Sequence, residues 1–195
     1  MVAIAIAGVI YALTIAPMVQ NIQQQQNIAA WKKVYSVFSQ AYTNMQNDYG
    51  APLSSLCTNT GPAGDACRRD YFAKYISFVR KCDQGTGNGA TYGPNGCFHP
   101  MDGSVKCNTG ASINLWSGDA GAIMLDGTSV VFFMPNFLIV DVNGANGPNK
   151  VGKDIFGMDL DVTPGVISPT NNDIIPATPT PCGWDASRNY ITGAS

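Results

Sequence analysis

The hydrophobic pattern of the chain changes character twice within its first fifty residues. From Met1 to Val19 no side chain is charged and most are apolar; Met1, Ile4, Ile6, Val9, Ile10, Leu13, Ile15 and Val19 are interrupted by Gly8 and Pro17. As a helix this stretch is about 28 Å long, close to a hydrocarbon thickness of about 30 Å. Amides follow at Asn21 and Gln23 to Gln26, and then Trp31, Tyr35, Phe38, Tyr42, Met45 and Tyr49 recur in alternating steps of four and three. Val34, Val37 and Ala41 widen this second pattern into the stripe of an amphipathic helix with one buried face. No turn signal separates the two halves, so the pattern predicts one helix of about fifty residues, roughly 75 Å if continuous. A first half that is apolar all round must be surrounded by lipid or by copies of itself, whereas the one-sided second half packs on its own domain.

Pro17 lacks an amide hydrogen and its ring clashes with the preceding turn; Gly8 and the β-branched Val9, Ile10, Thr14 and Ile15 lower helix propensity ahead of it. The stretch from Gly8 to Pro17 is therefore expected to be locally extensible. Its freed backbone groups would need protein neighbours or the Thr14 hydroxyl as partners.

Beyond residue 50 the signals are shorter. Arg68 to Lys81 reads as a helix entered at Arg68-Arg69-Asp70, with Tyr71, Tyr75, Phe78 and Val79 on its buried face. Gly85 to Gly96 reads as an irregular loop that disulfides at Cys82 and Cys97 would pin. Ala122 to Met134 carries Asp126-Gly127 between two apolar runs, which predicts a hairpin with a type I′ turn. Further strands are expected over Asn136 to Val140 and Asp154 to Leu160. The fold class that follows is α+β: a long N-terminal helix, its apolar half a stalk, packed by its C-terminal half against an antiparallel β-sheet head with disulfide-pinned loops. Residues 1–30 form the stalk half, and residues 31–195 the head together with the amphipathic half of the helix.

Composition changes this picture mainly through cysteine. Cys57, Cys67, Cys82, Cys97, Cys107 and Cys182 all follow the first helix, no CxxC pair occurs, and the only histidine is His99. Disulfides outside the cytoplasm fit better than zinc. Six thiols allow 15 connectivities, and Cys57 with Cys67, closing a short Gly-Pro loop, is the pairing expected first. A net charge of -2 with 12% charged residues gives no basic field for nucleic acid. All thirteen acidic residues are aspartate, and 21 Gly with 12 Pro favour turns and hairpins.

Candidate chemistry is sparse. Asp141, Asn143 and Asp154, in DVNGANGPNKVGKD, are oxygen-bearing residues at a spacing compatible with a calcium loop, although the spacing is not that of an EF-hand and no glutamate is available. The alternative is a set of turns held by Asx hydrogen bonds. The Pro- and Thr-rich segment from Val162 reads as extended surface chain tied back by Cys182, with hydroxyls open to O-linked sugars and no N-glycosylation sequon. No G-x-S-x-G, P-loop or H-E-x-x-H occurs, and six thiols expected to be oxidised leave no nucleophilic cysteine, so no catalytic residues are assigned.

Gly8-Val9-Ile10-Tyr11-Ala12-Leu13-Thr14-Ile15, a proline, Gln20-Asn21, and Lys32 to Ala41 (KKVYSVFSQA) resemble the N-terminal helix of type IV pilins and pseudopilins. Val140-Asp141-Val142-Asn143-Gly144, Gly147-Pro148-Asn149-Lys150 and Asp154-Ile155-Phe156 are similar to a loop of pilin-like heads. The resemblance covers the first fifty residues and this loop. It implies that a prepilin peptidase removes a basic leader and methylates the new N-terminus. Subunits then wait in the inner membrane of a bacterium, and an assembly machinery stacks their apolar helices into a surface fibre. The family's glutamate near the mature N-terminus has no counterpart here, and the usual start before Gly8 is absent, so either Met1 is the mature end or the mature chain begins earlier.

The reading that follows is a major pilin, a homo-oligomeric helical filament subunit for adhesion, motility or DNA uptake, without a required cofactor unless the loop holds calcium. The alternatives are a pseudopilin of a type II secretion system and a monomeric, membrane-anchored extracellular binding module.

Overall fold

The aromatic stripe of the first helix meets a six-stranded sheet. The computed structural model describes residues 2–83, 96–97, 104–106, 112–114, 120–133, 137–144, 146–163, 166–169 and 185–192, without the side chains of 2–14, 16, 104–106, 112–114, 161–163, 166 and 185–188. Helix α1 runs Val2–Tyr49, with Pro17 inside it. Two helices follow, α2 Leu53–Leu56 and α3 Gly61–Phe72. The main sheet holds β1 Phe78–Cys82, β4 Ala120–Met124, β5 Ser129–Phe133, β6 Phe137–Asp141, β7 Ile155–Thr163 and β8 Val166–Pro169, antiparallel throughout in the order β1-β4-β5-β6-β7-β8. A separate hairpin pairs β2 Ser104–Lys106 with β3 Ser112–Asn114, and α4 Asp185–Thr192 follows. The fold is α+β.

Strand alternation decides which side chains meet α1. Val130 and Phe132 of β5, Leu138 and Val140 of β6, and Phe156, Met158 and Leu160 of β7 share one face, in register as Val130↔Val140↔Phe156 and Phe132↔Leu138↔Met158. Trp31, Val34, Phe38, Ala41, Tyr42 and Met45 are buried with them in one core. Trp31 stacks on Phe156 with ring centroids 5.1 Å apart and planes at 15°. Phe38 meets Phe72 of α3 at 5.1 Å and Phe132 at 6.4 Å. Val131, Phe133 and Ile139 on the opposite face are buried too, and strands buried on both faces read as unbroken apolar runs such as VVFF and FLIV rather than alternating ones.

The aromatic stripe ends sooner than its spacing predicts. Tyr35 is half-buried, and Tyr49 is 41% exposed, outside the core. Helix α1 outruns the sheet, so Tyr49 packs edge-on against Tyr71 at 5.2 Å while its hydroxyl accepts from Lys74 Nζ at 2.8 Å. The expected helix over 68–81 is displaced. Helix α3 starts at Gly61, with proline in its first turn, and ends at Phe72; Phe78 and Val79 belong to edge strand β1, which pairs with β4. Long-range pairing overrides local spacing there.

The Asp126-Gly127 hairpin is present, but its turn is not type I′. Gly127 N bonds Met124 O at 3.0 Å, Met124 N bonds Thr128 O at 2.8 Å, and Gly127 alone in the turn has positive φ, +88°. This is a three-residue loop, Leu125-Asp126-Gly127, ending in a left-handed glycine, the next commonest hairpin connection. The segment from Val162, expected as surface chain, contributes edge strand β8 at Val166–Pro169.

Two disulfides lie among the described residues. Cys57 pairs with Cys67, the bridge expected first, and Cys82 pairs with Cys97. Cys107, Cys182, His99 and residues 85–95 of the predicted loop lie outside the described residues.

Candidate functional site

The chemistry-bearing groups converge where α1 leaves the head. Gln24 Nε2 donates to Gly152 O at 3.2 Å and to the Tyr190 hydroxyl at 3.3 Å, and Asn27 Nδ2 donates to Lys153 O at 3.1 Å. Tyr190, on α4, also stands edge-on to Phe156 at 6.0 Å. One face of α1 is therefore occupied by the β6–β7 loop and α4 from Gln24 upward, below the expected boundary at residue 30. Ile15, Met18, Val19 and Ile22 are 39%, 66%, 46% and 52% exposed. Pro17 is exposed as well. For Met1, Ile4, Ile6, Gly8, Val9, Ile10 and Leu13, the remaining residues expected in a filament core, side chains lie outside the described set. Among the described residues no helix is long and apolar enough to cross a membrane.

The β6–β7 loop that braces α1 is built around two buried aspartates. Asp154 accepts from Asn149 N at 2.8 Å, Lys150 N at 2.7 Å and Asn143 Nδ2 at 3.2 Å. Asp141 Oδ1 accepts from Asn143 N at 3.2 Å. With the Asn149 amide oriented by its hydrogen-bond network, its nitrogen donates to Asp141 Oδ2 and Asn146 O, both at 3.3 Å. Burial, and secondly the charge of Asp154, push the Asp141 carboxyl well above its ordinary range. Burial also raises Asp154, against the opposing effect of the Lys150 and Asn149 amides. Gly144 sits in the same loop at φ +62°, where an added Cβ would lie 2.6 Å from Gly127 O, so the loop needs glycine there.

The three residues expected as calcium ligands are thus brought together, in a loop that is also closed by Asx-type hydrogen bonds. Asn143 Nδ2 donates to Gly147 O and to Asp154 Oδ2, both at 3.2 Å, while its Oδ1 is buried without a hydrogen-bond partner among the described residues. Among the described residues no group of three or more Asp, Glu, His or Cys is placed to hold a metal ion. If the loop is held by its Asx hydrogen bonds alone, removal of divalent cations with a chelator is expected to leave the melting temperature of the head unchanged. A fall that added calcium restores would instead establish Asp141, Asn143 and Asp154 as ligands.

A second buried polar cluster sits beside the Cys57–Cys67 bridge. Arg68 Nη1 donates to Asp65 Oδ1 at 3.3 Å, Arg68 Nη2 donates to Cys57 O at 3.4 Å, and both side chains are buried. Burial outweighs the attraction of Arg68 and raises the Asp65 carboxyl from 3.8 to about 7. Between those two values native Asp65 keeps a proton that the unfolded chain releases, so its contribution to stability falls as pH rises through that window. Asp65→Asn is expected to flatten the pH dependence of unfolding free energy between about pH 4 and 7. Urea titrations at pH 5 and 7 check this, and an unaltered slope contradicts it.

No family model matches the chain, and no curated protein and no solved structure shows significant similarity to it. Sequence reasoning missed Gln24, Asn27, Tyr190, Asp65 and Arg68. The spacing of Gln24, Asn27, Ile28 and Trp31, three, one and three residues apart, carried a usable signal, since it places both amides on the helix face that Trp31 buries.

Proposed function

We propose that this chain is a structural filament subunit, a pilin-like protein whose head is carried on α1 and whose α1 packs against the same helix of neighbouring copies. The observation that carries the reading is the exposed set Ile15, Met18, Val19 and Ile22, at the end of the run of uncharged, mostly apolar residues that starts at Met1. Below Gln24 the head covers no side of the described helix, Ile15 and residues 17–23 being exposed, so this apolar surface is left to be buried by something else, and burial returns about 25 cal/mol per Å². A head-to-tail contact between identical chains that does not close on itself generates an open fibre. The resemblance to type IV pilins supports the same reading, with the inner membrane as the store of unassembled subunits, prepilin peptidase and an assembly machinery as partners, and the cell surface as the destination. Disulfide-bonded loops fit an extracytoplasmic head.

Mechanical shearing of intact cells tests the proposal. The chain is expected in the sheared supernatant, in fibres that pellet at high speed without detergent. A chain released by detergent alone contradicts it and favours a membrane-anchored monomer.

A further inference from the structure

The β6–β7 loop holds two Asn-Gly pairs, Asn143-Gly144 and Asn146-Gly147; those that begin at Asn88 and Asn95 lie outside the described residues. In such a pair the glycine nitrogen, with no Cβ beside it, is free to approach the asparagine Cγ closely. The nitrogen bonds to Cγ while the Cγ–Nδ2 bond breaks. The glycine amide proton passes to solvent, Nδ2 leaves as ammonia, and water opens the five-membered imide at either carbonyl. Aspartate and isoaspartate result, with no oxidant or reductant consumed. We propose that Asn146 is a site of this spontaneous deamidation and that Asn143, in the same loop, is protected from it by its hydrogen bonds. The inference is independent of the filament reading.

The two pairs differ at both reacting atoms. For Asn143 the nucleophile is engaged, since the Gly144 N–H donates to the Asp141 carboxyl. Its leaving amide is engaged too: Nδ2 donates to Gly147 O and to Asp154 Oδ2, both at 3.2 Å. Asn143 is half-buried and Gly144 buried, so water reaches this pair poorly. Attack there requires these bonds to break first, in a place where their loss is not made good by solvent. Asn146 and Gly147 are both exposed. The Gly147 N–H has no partner among the described residues, and the Asn146 amide is held by one exposed bond, Nδ2 to Asn143 O at 3.0 Å. Conversion replaces that donor with a carboxylate oxygen facing Asn143 O, and in isoaspartate it also adds one carbon to the main chain. Both changes fall in the loop whose Gly152 O and Lys153 O receive Gln24 and Asn27 of α1.

Peptide mapping by mass spectrometry, with isoaspartate resolved by chromatography, reads both sites in one sample. The full chain is held in mildly alkaline buffer, either folded or unfolded in concentrated guanidinium. In the folded chain Asn146 is expected to convert at least about tenfold faster than Asn143, a barrier difference of at least about 1.4 kcal/mol. In guanidinium the difference is expected to vanish, because both are then Asn-Gly pairs of a chain without these hydrogen bonds. No conversion at Asn146, equal rates in the folded chain, or a faster rate at Asn143 overturns the proposal. A tenfold preference that persists in guanidinium overturns the protection of Asn143, since flanking sequence would then be its cause. Gly147→Ala tests the route, because an added Cβ there meets nothing within 4 Å and leaves the loop its space. It is expected to slow conversion of Asn146 by crowding the attacking nitrogen, and an unchanged rate overturns the route.

Discussion

Trp31→Ala is expected to destabilise the head by about 3–5 kcal/mol, a large fraction of a typical stability of about 5–15 kcal/mol. Trp31 is fully buried, its ring is stacked 5.1 Å from Phe156, and Tyr35 flanks it at 6.0 Å. Truncation removes the largest apolar surface joining α1 to β7 and leaves a cavity that a close-packed interior fills poorly. Tyr49→Ala is the internal control. Tyr49 belongs to the same periodic stripe but lies outside the core, so its loss is expected to cost under about 1 kcal/mol. Urea unfolding of both variants reads the difference, and equal losses would mean that the stripe is not divided as described.

Asp154→Ala is expected to cost about 3 kcal/mol, and locally rather than through the core. The substitution removes the acceptor of two backbone amides, Asn149 N and Lys150 N, and of the Asn143 side chain, and unpaired buried donors cost about 1–3 kcal/mol each. Relief of the repulsion between Asp154 and Asp141 offsets part of this loss. The loop these bonds close also presents Gly152 O and Lys153 O to Gln24 and Asn27. Hydrogen exchange of the Asn149 and Lys150 amides is therefore expected to accelerate more than that of the β5 and β6 core strands. Uniform acceleration across the head would show that Asp154 acts only through global stability.

These two positions mark what the sequence could and could not convey. Trp31, Phe38, Tyr42 and Met45 were legible because a 3.6-residue period survives whatever packs on it. The same period overran at Tyr49, because where a helix outlasts its sheet depends on strand length elsewhere. The hairpin at Asp126-Gly127 was legible, but the turn type was not, since one further loop residue separates the two geometries. Strand β1 was hidden: Phe78 to Cys82 places Val79, Arg80 and Lys81 in solvent, and pairing with the distant β4 makes them a strand. The start of α3 was masked by Gly61-Pro62-Ala63-Gly64, a turn-like composition. Gly64 is needed because an added Cβ would stand 2.0 Å from Asn59 O. Asp65 and Arg68 look like solvent-facing charges until the Cys57–Cys67 bridge and Arg68's bond to Cys57 O enclose them. Asp141, Asn143 and Asp154 were picked out as a group, yet nothing in their spacing says which end of the Asn143 amide faces Asp154.

The central proposal is that the part of α1 below Gln24, left uncovered by its own head, is buried by sister helices. Electron cryomicroscopy of sheared fibres tests it most directly. The account predicts helices at the fibre axis, with Ile15, Met18, Val19 and Ile22 in contact between subunits and the disulfide-bonded heads outside. A fibre-free preparation in which the full-length chain is a monomer, with those four residues folded against its own head, would contradict it.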